Sequence, residues 1–287
     1  MLLLYHYTSI EGFLGIISSK SLWASHCQYL NDASEYEHAL NYAKNISSDI
    51  FMNDDYNAGF GFILRKNISL IPDNSNVFIT SFSEKFDLLS QWRGYCPPNE
   101  GICIGFDKNI IKEFCNQNKF KFEKCIYEEE IQLRKIHEIV EKCYKSCPQH
   151  TISKGEYNLL NSKDCVDFEM DYHEEIKKFS NSTDVFTKFS NSLIEYAPLI
   201  KNNGFYEEKE WRIICKSPNT TINFRKGKGY LIPFINLDLL NFSKEIIKEI
   251  IIGPNVNARR CEESIKMVLE RKGFVNIKIK HSTIPYI

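Results

Sequence analysis

Hydrophobic residues recur at two spacings along the chain, and each spacing predicts a different kind of element. At 11–19 the apolar residues lie three and four positions apart, which is typical of a helix with one buried face, and Thr8 or Ser9 is placed to cap it. Further helices are predicted at 32–50, after Asp107 and at 258–272, and 54–69 is predicted to be helical or irregular. Short apolar or alternating runs predict strands around His6 and at 21–25, 77–82, 101–106, 120–127, 210–216, 229–234, 249–252 and 275–281.

A long block in the middle of the chain has no strand pattern. From 128 to about 199 the sequence is polar, rich in Lys, Glu, Asn and Ser, and helical in its spacing. Strands on both sides of a helical block indicate an α+β fold. We therefore predict an α+β core made of 1–127 and 201–287, interrupted by a helical insertion at 128–200.

Charge and length narrow the class of protein. The chain has 287 residues, and its 36 basic and 37 acidic side chains leave a net charge of -1. This balance excludes the global positive field that drives nonspecific nucleic-acid binding. At about 150 residues per domain, the length suits roughly two domains with a real hydrophobic core. No basic signal-peptide region and no apolar run of about 18 residues is visible, so we expect a cytoplasmic protein without a membrane segment.

Ten cysteines are present, and in a chain of this length without an export signal we expect thiols, mostly packed in the core. Cys143, Cys147, His150 and Cys165 offer soft ligands within a short span, as a structural zinc site would. The paired two-residue knuckle of zinc modules is absent, and the spacing of the first two cysteines suits one face of a helix. We therefore expect buried packing residues and no metal, with zinc as the alternative.

Three short segments place polar side chains beside predicted strands, where a sheet can hold them in fixed geometry. One surrounds His6, one is Ser81-Phe82-Ser83, and one surrounds Trp92. Alternating Ser and Phe is also typical of a half-buried strand, so structure explains that pattern as well as function does. Asn31-Asp32 is interpreted first as a helix cap.

Two acidic residues lead into the strand predicted at 210–216. Glu208 and Glu210 are two positions apart, so on a strand both carboxylates would face the same side. Neighbouring carboxylates tend to split their pKa values, which suits one for electrostatic stabilisation and the other for proton transfer. The alternative is a solvated strand face on which Lys209 and Arg212 are the partners.

A series of short motifs runs through the chain in a fixed order: His6-Tyr7-Thr8-Ser9, Asn31-Asp32, Ser81-Phe82-Ser83, Gln91-Trp92-Arg93-Gly94, Gly101-Ile102-Cys103-Ile104-Gly105-Phe106, Glu208-Lys209-Glu210-Trp211-Arg212 and Ser282-Thr283-Ile284-Pro285-Tyr286. Taken in this order they resemble the bacterial and phage family called domain of unknown function 2971. The resemblance spans nearly the whole chain, and its specificity lies in the order of the motifs. The family name implies no activity.

A more distant resemblance concerns an early histidine strand, a middle Ser-aromatic-Ser strand and a late Glu-x-Glu strand. Their order is similar to that of the ADP-ribosyltransferase fold, in which a split mixed β-sheet surrounds an NAD-binding cleft. The resemblance implies that His6 binds the adenosine-side ribose, that Ser81 to Ser83 lie on the central strand, and that Glu210 is catalytic. Glu208 matches the preceding acid of transferases that modify arginine. The chain departs from the usual patterns in two ways. It joins a histidine start to a Glu-x-Glu end, and it has Phe82 where a Thr or Tyr is expected. The substrate class therefore does not carry over.

This resemblance implies an NAD-dependent ADP-ribosyltransferase that modifies a protein or nucleic-acid acceptor, in phage defence or as a toxin. Glu210 would stabilise positive charge on the ribose, and Glu208 would deprotonate or orient the acceptor. At the mouth of a cleft, Glu210 is expected to contribute little to folding. Tyr7 or Trp92 would stack on a ring of NAD, and Arg93 would pair with its pyrophosphate. The expected NAD-binding residues are His6, Tyr7, Thr8, Ser81, Phe82, Ser83, Trp92 and Arg93.

Two alternatives stay open. In an NAD glycohydrolase, water replaces the acceptor. In a catalytically silent binding module, the polar motifs stabilise the fold and the helical insertion at 128–200 binds a partner. In the enzyme hypotheses, the same insertion is expected to influence the choice of acceptor.

Overall fold

The structure is a computed structural model that describes residues 2–30, 33–52, 58–69, 71, 76–147, 154–179, 183–216, 221–227 and 229–285. Its strands are β1 (Leu3–Ser9), β2 (Leu22–His26), β3 (Val77–Ser83), β4 (Gly101–Asp107), β5 (Lys121–Lys124), β6 (Glu210–Lys216), β7 (Asn223–Lys226), β8 (Leu231–Leu237), β9 (Ile247–Ile252) and β10 (Lys278–His281). Its helices are α1 (Ile10–Ser19), α2 (Ala33–Met52), α3 (Ala58–Ser69), α4 (Leu89–Tyr95), α5 (Lys108–Asn118), α6 (Glu129–Lys145), α7 (Lys154–Leu159), α8 (Ser162–Phe179), α9 (Thr183–Tyr196), α10 (Leu239–Phe242) and α11 (Ala258–Arg271). The predicted α+β class is confirmed.

The chain divides into two compact units. One comprises residues 1–30, 77–125 and 204–287, and it contains all of the described strands. The other comprises residues 31–76 and 126–203, and its regular elements are helical apart from an isolated bridge between Ile126 and Ile200. The sequence-based division drew the helical part at 128–200, and the structure groups this block with α2 and α3.

The sheet unit is a mixed sheet of ten described strands in the order β10-β9-β4-β1-β3-β2-β8-β7, with β6 pairing β3 and β5 pairing β6. Because successive side chains of a strand point to opposite faces, the two faces of the sheet carry different residues. One face packs on α1, α5 and α11 through a large apolar core that includes Leu4, Phe82 and Ile213. The other face carries a smaller cluster of Tyr5, Tyr7, Trp92, Cys103 and Ile251.

The sheet forks at β3. One edge of β3 pairs with β6 over its whole length, from Val77 opposite Lys216 to Ser83 opposite Glu210. The other edge pairs with β1 only at Ser83 and with β2 only at Phe78 and Ile79. Within the described strands, positions 80–82 therefore have no ladder partner on that edge. We call this gap the fork, and it exposes backbone groups of β3 to side chains from β1.

In the helical unit, α2 contacts α3 and α6, and α9 contacts α3 and α6. A backbone-directed side chain joins the ends of this block: Gln132 on α6 donates hydrogen bonds to the carbonyl oxygens of Ile126 (2.6 Å) and Lys201 (2.9 Å). No helix among the described residues has the length and apolar character needed to cross a membrane.

Several sequence-based details can be compared with the structure. Ser9 caps α1 by accepting a hydrogen bond from the Gly12 amide at 3.0 Å, as expected. Cys143 and Cys147 are buried and Cys165 is half-buried, whereas His150 lies outside the described residues. Over the part of the chain that the structure describes, no group of three potential metal ligands forms. Asn31-Asp32 and Tyr286 also lie outside the described residues.

Candidate active site

A small cavity of about 60 Å³ lies at the fork. Ligand sites in proteins typically measure about 300–1,000 Å³, so this cavity admits only a small part of a ligand. The sequence predicted that His6, Ser81 or Ser83 and Glu210 lie on neighbouring strands and line one cleft from the same side of the sheet. All of them line this cavity, from β1, β3 and β6, but strand alternation puts His6 on the face of Leu4 and Phe82 and the other residues on the opposite face, so His6 reaches the cavity through the fork. The lining residues are Tyr5, His6, Tyr7, Ser81, Phe82, Ser83, Gln91, Tyr95, Glu208 and Glu210.

His6 fills the gap between β1 and β3. Its Nδ1 lies 3.0 Å from the carbonyl oxygen of Ser81, and the ring lies 5.9 Å from that of Phe82. Burial lowers the pKa of His6 below its usual value, although the hydrogen bond to Ser81 opposes this. Because a carbonyl oxygen only accepts, the neutral ring carries its proton on Nδ1. Nε2 is therefore an acceptor, and none of the described residues hydrogen-bonds to it.

Glu210 and Arg212 form a buried ion pair on β6. Arg212 Nε donates to Glu210 Oε1 at 2.6 Å, and Arg212 Nη2 donates to Oε2 at 3.3 Å. The two residues are 4% and 3% exposed. The alternative of a solvated strand face is therefore wrong about exposure at these positions, but Arg212 is the partner that it named for the acidic residues. Two positions apart on a strand, both side chains project on the same face as Ser81 and Ser83, which lie opposite them on β3.

Glu208 reaches the cavity by a different route from the one expected. It ends a short 3₁₀ helix, Asn203–Glu208, and Lys209 has a left-handed φ of 44° before β6 begins at Glu210. Strand alternation therefore does not apply to Glu208, and the prediction that it shares a strand with Glu210 is wrong. The Ser83 hydroxyl donates to the Glu208 carbonyl oxygen at 2.6 Å and fixes this turn against β3.

Two tyrosines of β1 form an aromatic wall. The Tyr5 hydroxyl donates to Glu249 Oε1 at 2.9 Å, and the Tyr7 hydroxyl donates to the Lys85 carbonyl at 3.0 Å. Burial raises the pKa of both phenols above the usual value, so both stay protonated near neutral pH. Since each hydroxyl already has a partner, these residues offer the cavity mainly ring surface.

Trp92 anchors α4 and is not exposed to the cavity. Its ring is 2% exposed and makes an edge contact with Tyr7 at 4.8 Å between ring centroids. A Cβ atom added at Gly101 or Gly253 would lie 2.8 Å or 2.9 Å from the ring, so glycine is needed where the indole packs. Its Nε1 donates to Asp87 at 2.8 Å.

The Asp87 carboxylate links this anchor to the end of the chain. It accepts hydrogen bonds from the Ser282 hydroxyl (2.7 Å), the Thr283 amide (2.9 Å) and the Thr283 hydroxyl (3.0 Å). Burial works to raise the pKa of Asp87, but the hydrogen bonds outweigh it and hold this pKa below its usual value. Ser282 and Thr283, in the closing motif of the chain, therefore help to hold Trp92 and α4 in place through Asp87.

The cavity includes some of the residues expected to bind a cofactor and leaves out others. His6, Tyr7, Ser81, Phe82 and Ser83 line it. The residues that do not line it are Thr8, which is half-buried, Trp92, which is buried, and Arg93, which is exposed.

Three lining residues were missed from the sequence. Gln91 and Tyr95 are four positions apart, which places them on one face of α4, and Tyr5 alternates with Tyr7 on β1. The i, i+4 spacing was a usable signal for the first two, but only once α4 had been assigned as a helix.

Residues 91–213 match the family model described as Protein of unknown function (DUF2971). The match covers less than half of the chain, and it confirms the resemblance to this family over that span. It runs from Gln91 on α4 to Ile213 on β6 and includes the Glu210–Arg212 pair. No curated protein and no solved structure matches the chain.

Proposed function

We propose that the cavity binds the nicotinamide–ribose end of NAD and transfers ADP-ribose to a protein or nucleic-acid acceptor. The observation that supports this most is a carboxylate, Glu210, that lines a small aromatic-walled cavity and is held in place by a buried guanidinium. A fixed negative charge is what stabilises the oxocarbenium-like state formed when a glycosidic bond breaks.

The lining residues fit this end of the co-substrate. Tyr5 and Tyr7 offer flat ring surface to a planar heterocycle. His6 Nε2 and the Glu210 carboxylate are acceptors, which suit the hydroxyl groups of a ribose. The cavity is small, so only part of the nicotinamide–ribose end would enter it and most of NAD would lie outside it. Arg93, exposed on α4, is proposed to meet the pyrophosphate there.

We also propose a relation to the ADP-ribosyltransferase fold, and the fork is the feature of the sheet that supports it. In that interpretation, β1, β3 and β6 are the strands that carry the histidine, the Ser-aromatic-Ser and the Glu-x-Glu positions. The pairing of β3 with β1 at one end only opens the sheet where His6 enters. We propose that this opening corresponds to the split of the transferase sheet.

Each acid then has its own role. Glu210 accepts a hydrogen bond from a ribose hydroxyl and faces the positive charge that grows as the bond from C1′ to the nicotinamide nitrogen breaks, with its electron pair leaving on that nitrogen. A nucleophile of the acceptor forms the new bond to C1′, and Glu208 takes the proton that this nucleophile loses. In phage defence or as a toxin, such a transfer would inactivate a cellular or viral target.

The proposal is tested with the purified chain, NAD labelled in its adenylate part and cell lysate. Nicotinamide release with label on protein, RNA or DNA supports transfer. Release with only free labelled ADP-ribose overturns transfer and identifies a glycohydrolase. Neither binding nor release at millimolar NAD overturns both, and leaves the binding module, with partner contacts through the helical unit, as the better hypothesis.

A pair of variants assigns the chemistry to the carboxylate. Glu210→Gln keeps the shape but removes the charge, and should slow nicotinamide release by about 10²- to 10³-fold. Glu208→Gln should reduce transfer to the acceptor more than NAD cleavage. Glu113→Gln, on the exposed side of α5, is the matched control and should keep the wild-type rate.

A further inference from the structure

Gln91 is a buried amide whose hydrogen-bonding capacity is unused. The residue is 6% exposed and lines the cavity. Across the described residues, its side chain makes no hydrogen bond. Its amide atoms are also not among the fully buried polar atoms that lack a partner, which in the described part of the chain are Tyr196 Oη and Arg225 Nε. The amide group of Gln91 therefore borders the cavity.

An amide that borders the cavity without a protein partner has to be hydrogen-bonded there by water or by a ligand. Burying a polar group without a hydrogen bond costs about 1–3 kcal/mol in proteins, and most buried polar groups have partners. A leucine would fill a similar volume without this cost. The position is therefore better explained by a ligand than by packing.

The element that carries Gln91 is fixed in place. Trp92, the next residue, is packed between glycines and bonded to Asp87, which is itself tied to Ser282 and Thr283. Tyr95, one turn later, lines the same cavity. A side chain on so well anchored a helix is preorganised for one ligand geometry.

The chemistry of the cavity indicates what Gln91 binds. Glu208 and Glu210 both line it and, as carboxylates, only accept hydrogen bonds and repel an anionic ligand group. Gln91 adds both a donor and an acceptor without charge. A primary carboxamide is the complementary group, since it can donate to Oε1 and accept from Nε2 of the same side chain.

We propose that Gln91 recognises the carboxamide of nicotinamide, so that the site selects NAD over the dinucleotide that carries nicotinic acid instead. This inference rests on the proposed function. A site that hydrogen-bonds a polar group of its substrate rejects analogues that cannot satisfy it, because its own buried groups are then left unpaired. The carboxylate of nicotinic acid cannot donate, and it would face two acids.

The test compares the two dinucleotides as substrates, and free nicotinamide and free nicotinic acid as ligands in calorimetry. The wild-type chain should cleave NAD with a kcat/KM at least 10-fold higher than the acid analogue and bind nicotinamide more tightly than nicotinic acid. Gln91→Leu should lower kcat/KM for NAD by about 10- to 100-fold and remove most of this preference. Gln117→Leu, at an exposed position of α5, should change neither.

Thermal unfolding separates recognition from a structural role. Because Gln91→Leu removes an unpaired buried amide, its Tm should equal or exceed that of the wild type, and a lower Tm would overturn the proposal. NAD cleavage with the same preference in wild type and Gln91→Leu overturns the role of Gln91 alone. A wild-type chain that neither binds nor cleaves NAD overturns this inference together with the proposed function.

Discussion

The hydrogen bonds to Asp87 make a strong prediction about stability. Asp87→Asn keeps the size of the side chain but replaces one acceptor oxygen with a donor. If the amide nitrogen faces Trp92, the indole N–H has no acceptor, and if it faces Thr283, the backbone N–H has none. The hydroxyls on either side can rotate to accept, so each orientation leaves one donor unpaired.

The size of the effect follows from these contacts. One unpaired donor costs about 1–3 kcal/mol, and the remaining hydrogen bonds lose their charge assistance. Asp87 is half-buried, so water compensates for part of the loss. We expect a destabilisation of about 2–3 kcal/mol, which corresponds to a fall in Tm of about 4–12 °C.

The assay is urea unfolding followed by tryptophan fluorescence, together with a thermal scan, for wild type, Asp87→Asn and Asp238→Asn. Asp238 is exposed and makes no side-chain cap, so its variant should stay within about 0.5 kcal/mol of wild type. If Asp87→Asn unfolds like this control, the hydrogen bonds do not stabilise α4 and the reasoning fails.

The pH dependence of the same variants gives a second check. The pKa of Asp87 is lowered in the folded state, so its stabilisation is present above the unfolded pKa of about 3.9 and is lost as the pH falls through the folded value. The stability difference between wild type and Asp87→Asn should therefore be constant from pH 7 to 5 and shrink below about pH 4. A difference that is unchanged at pH 3 would contradict an ionised, hydrogen-bonded Asp87.

Three further predictions concern other residues of the sheet unit. The sequence led us to expect that Glu210 contributes little to folding, but its burial with Arg212 predicts otherwise: Glu210→Gln should destabilise the fold by about 2–4 kcal/mol in urea, because it removes the carboxylate charge from a buried ion pair, and equal stability would show that the pair is not buried in solution. Gly101→Ala should lower stability by about 1–3 kcal/mol through overpacking on the indole, whereas Gly94→Ala, with open space around its Cα, should raise the stability by about 0.5–1 kcal/mol; effects of the same sign would contradict the packing. Burial lowers the pKa of His6, so the unfolded chain takes up this proton first and stability should fall as the pH drops below about 6.5; His6→Gln should flatten this slope, and an unchanged slope would argue against a neutral His6.

Much of the sheet could be predicted from the sequence, because most of its strands are apolar or alternating runs with clear ends. β6 begins and ends at the predicted residues, since an apolar run there lies between charged positions. β7 was missed because Asn223–Lys226 is four residues long and half charged. α4 was missed for a different reason: a seven-residue helix that contains Gly94 is marginal by itself, and the packing of Trp92 supplies the stability that local propensity lacks.

The candidate site could also be predicted only in part. Placing Ser81 and Glu210 on one face required only strand periodicity, whereas His6 has the opposite parity on β1 and meets them because the sheet forks there. The turn at Glu208 could not be predicted, because a left-handed Lys209 has no signature in the sequence. The burial of Glu210 with Arg212 also depends on how β3 and β6 pair, and spacing along one strand does not reveal it.

The motifs that carry the family resemblance can be sorted by whether their polar atoms already have partners. The hydroxyl groups of Ser282, Thr283 and Ser83 donate hydrogen bonds within the fold. Gly101 leaves room for the indole of Trp92. Structure alone explains these residues. Gln91 lies in the same motifs but keeps its amide unpaired beside the cavity. A residue whose role is packing or internal hydrogen bonding can be replaced by any change that preserves those contacts, whereas an amide without a protein partner has to be hydrogen-bonded by water or by a ligand. The proposal that a ligand binds beside Gln91 and Glu210 therefore predicts two classes of variant: substitutions at Ser282, Thr283 or Gly101 should lower stability, whereas substitution of Gln91 should lower binding and leave stability unchanged or higher.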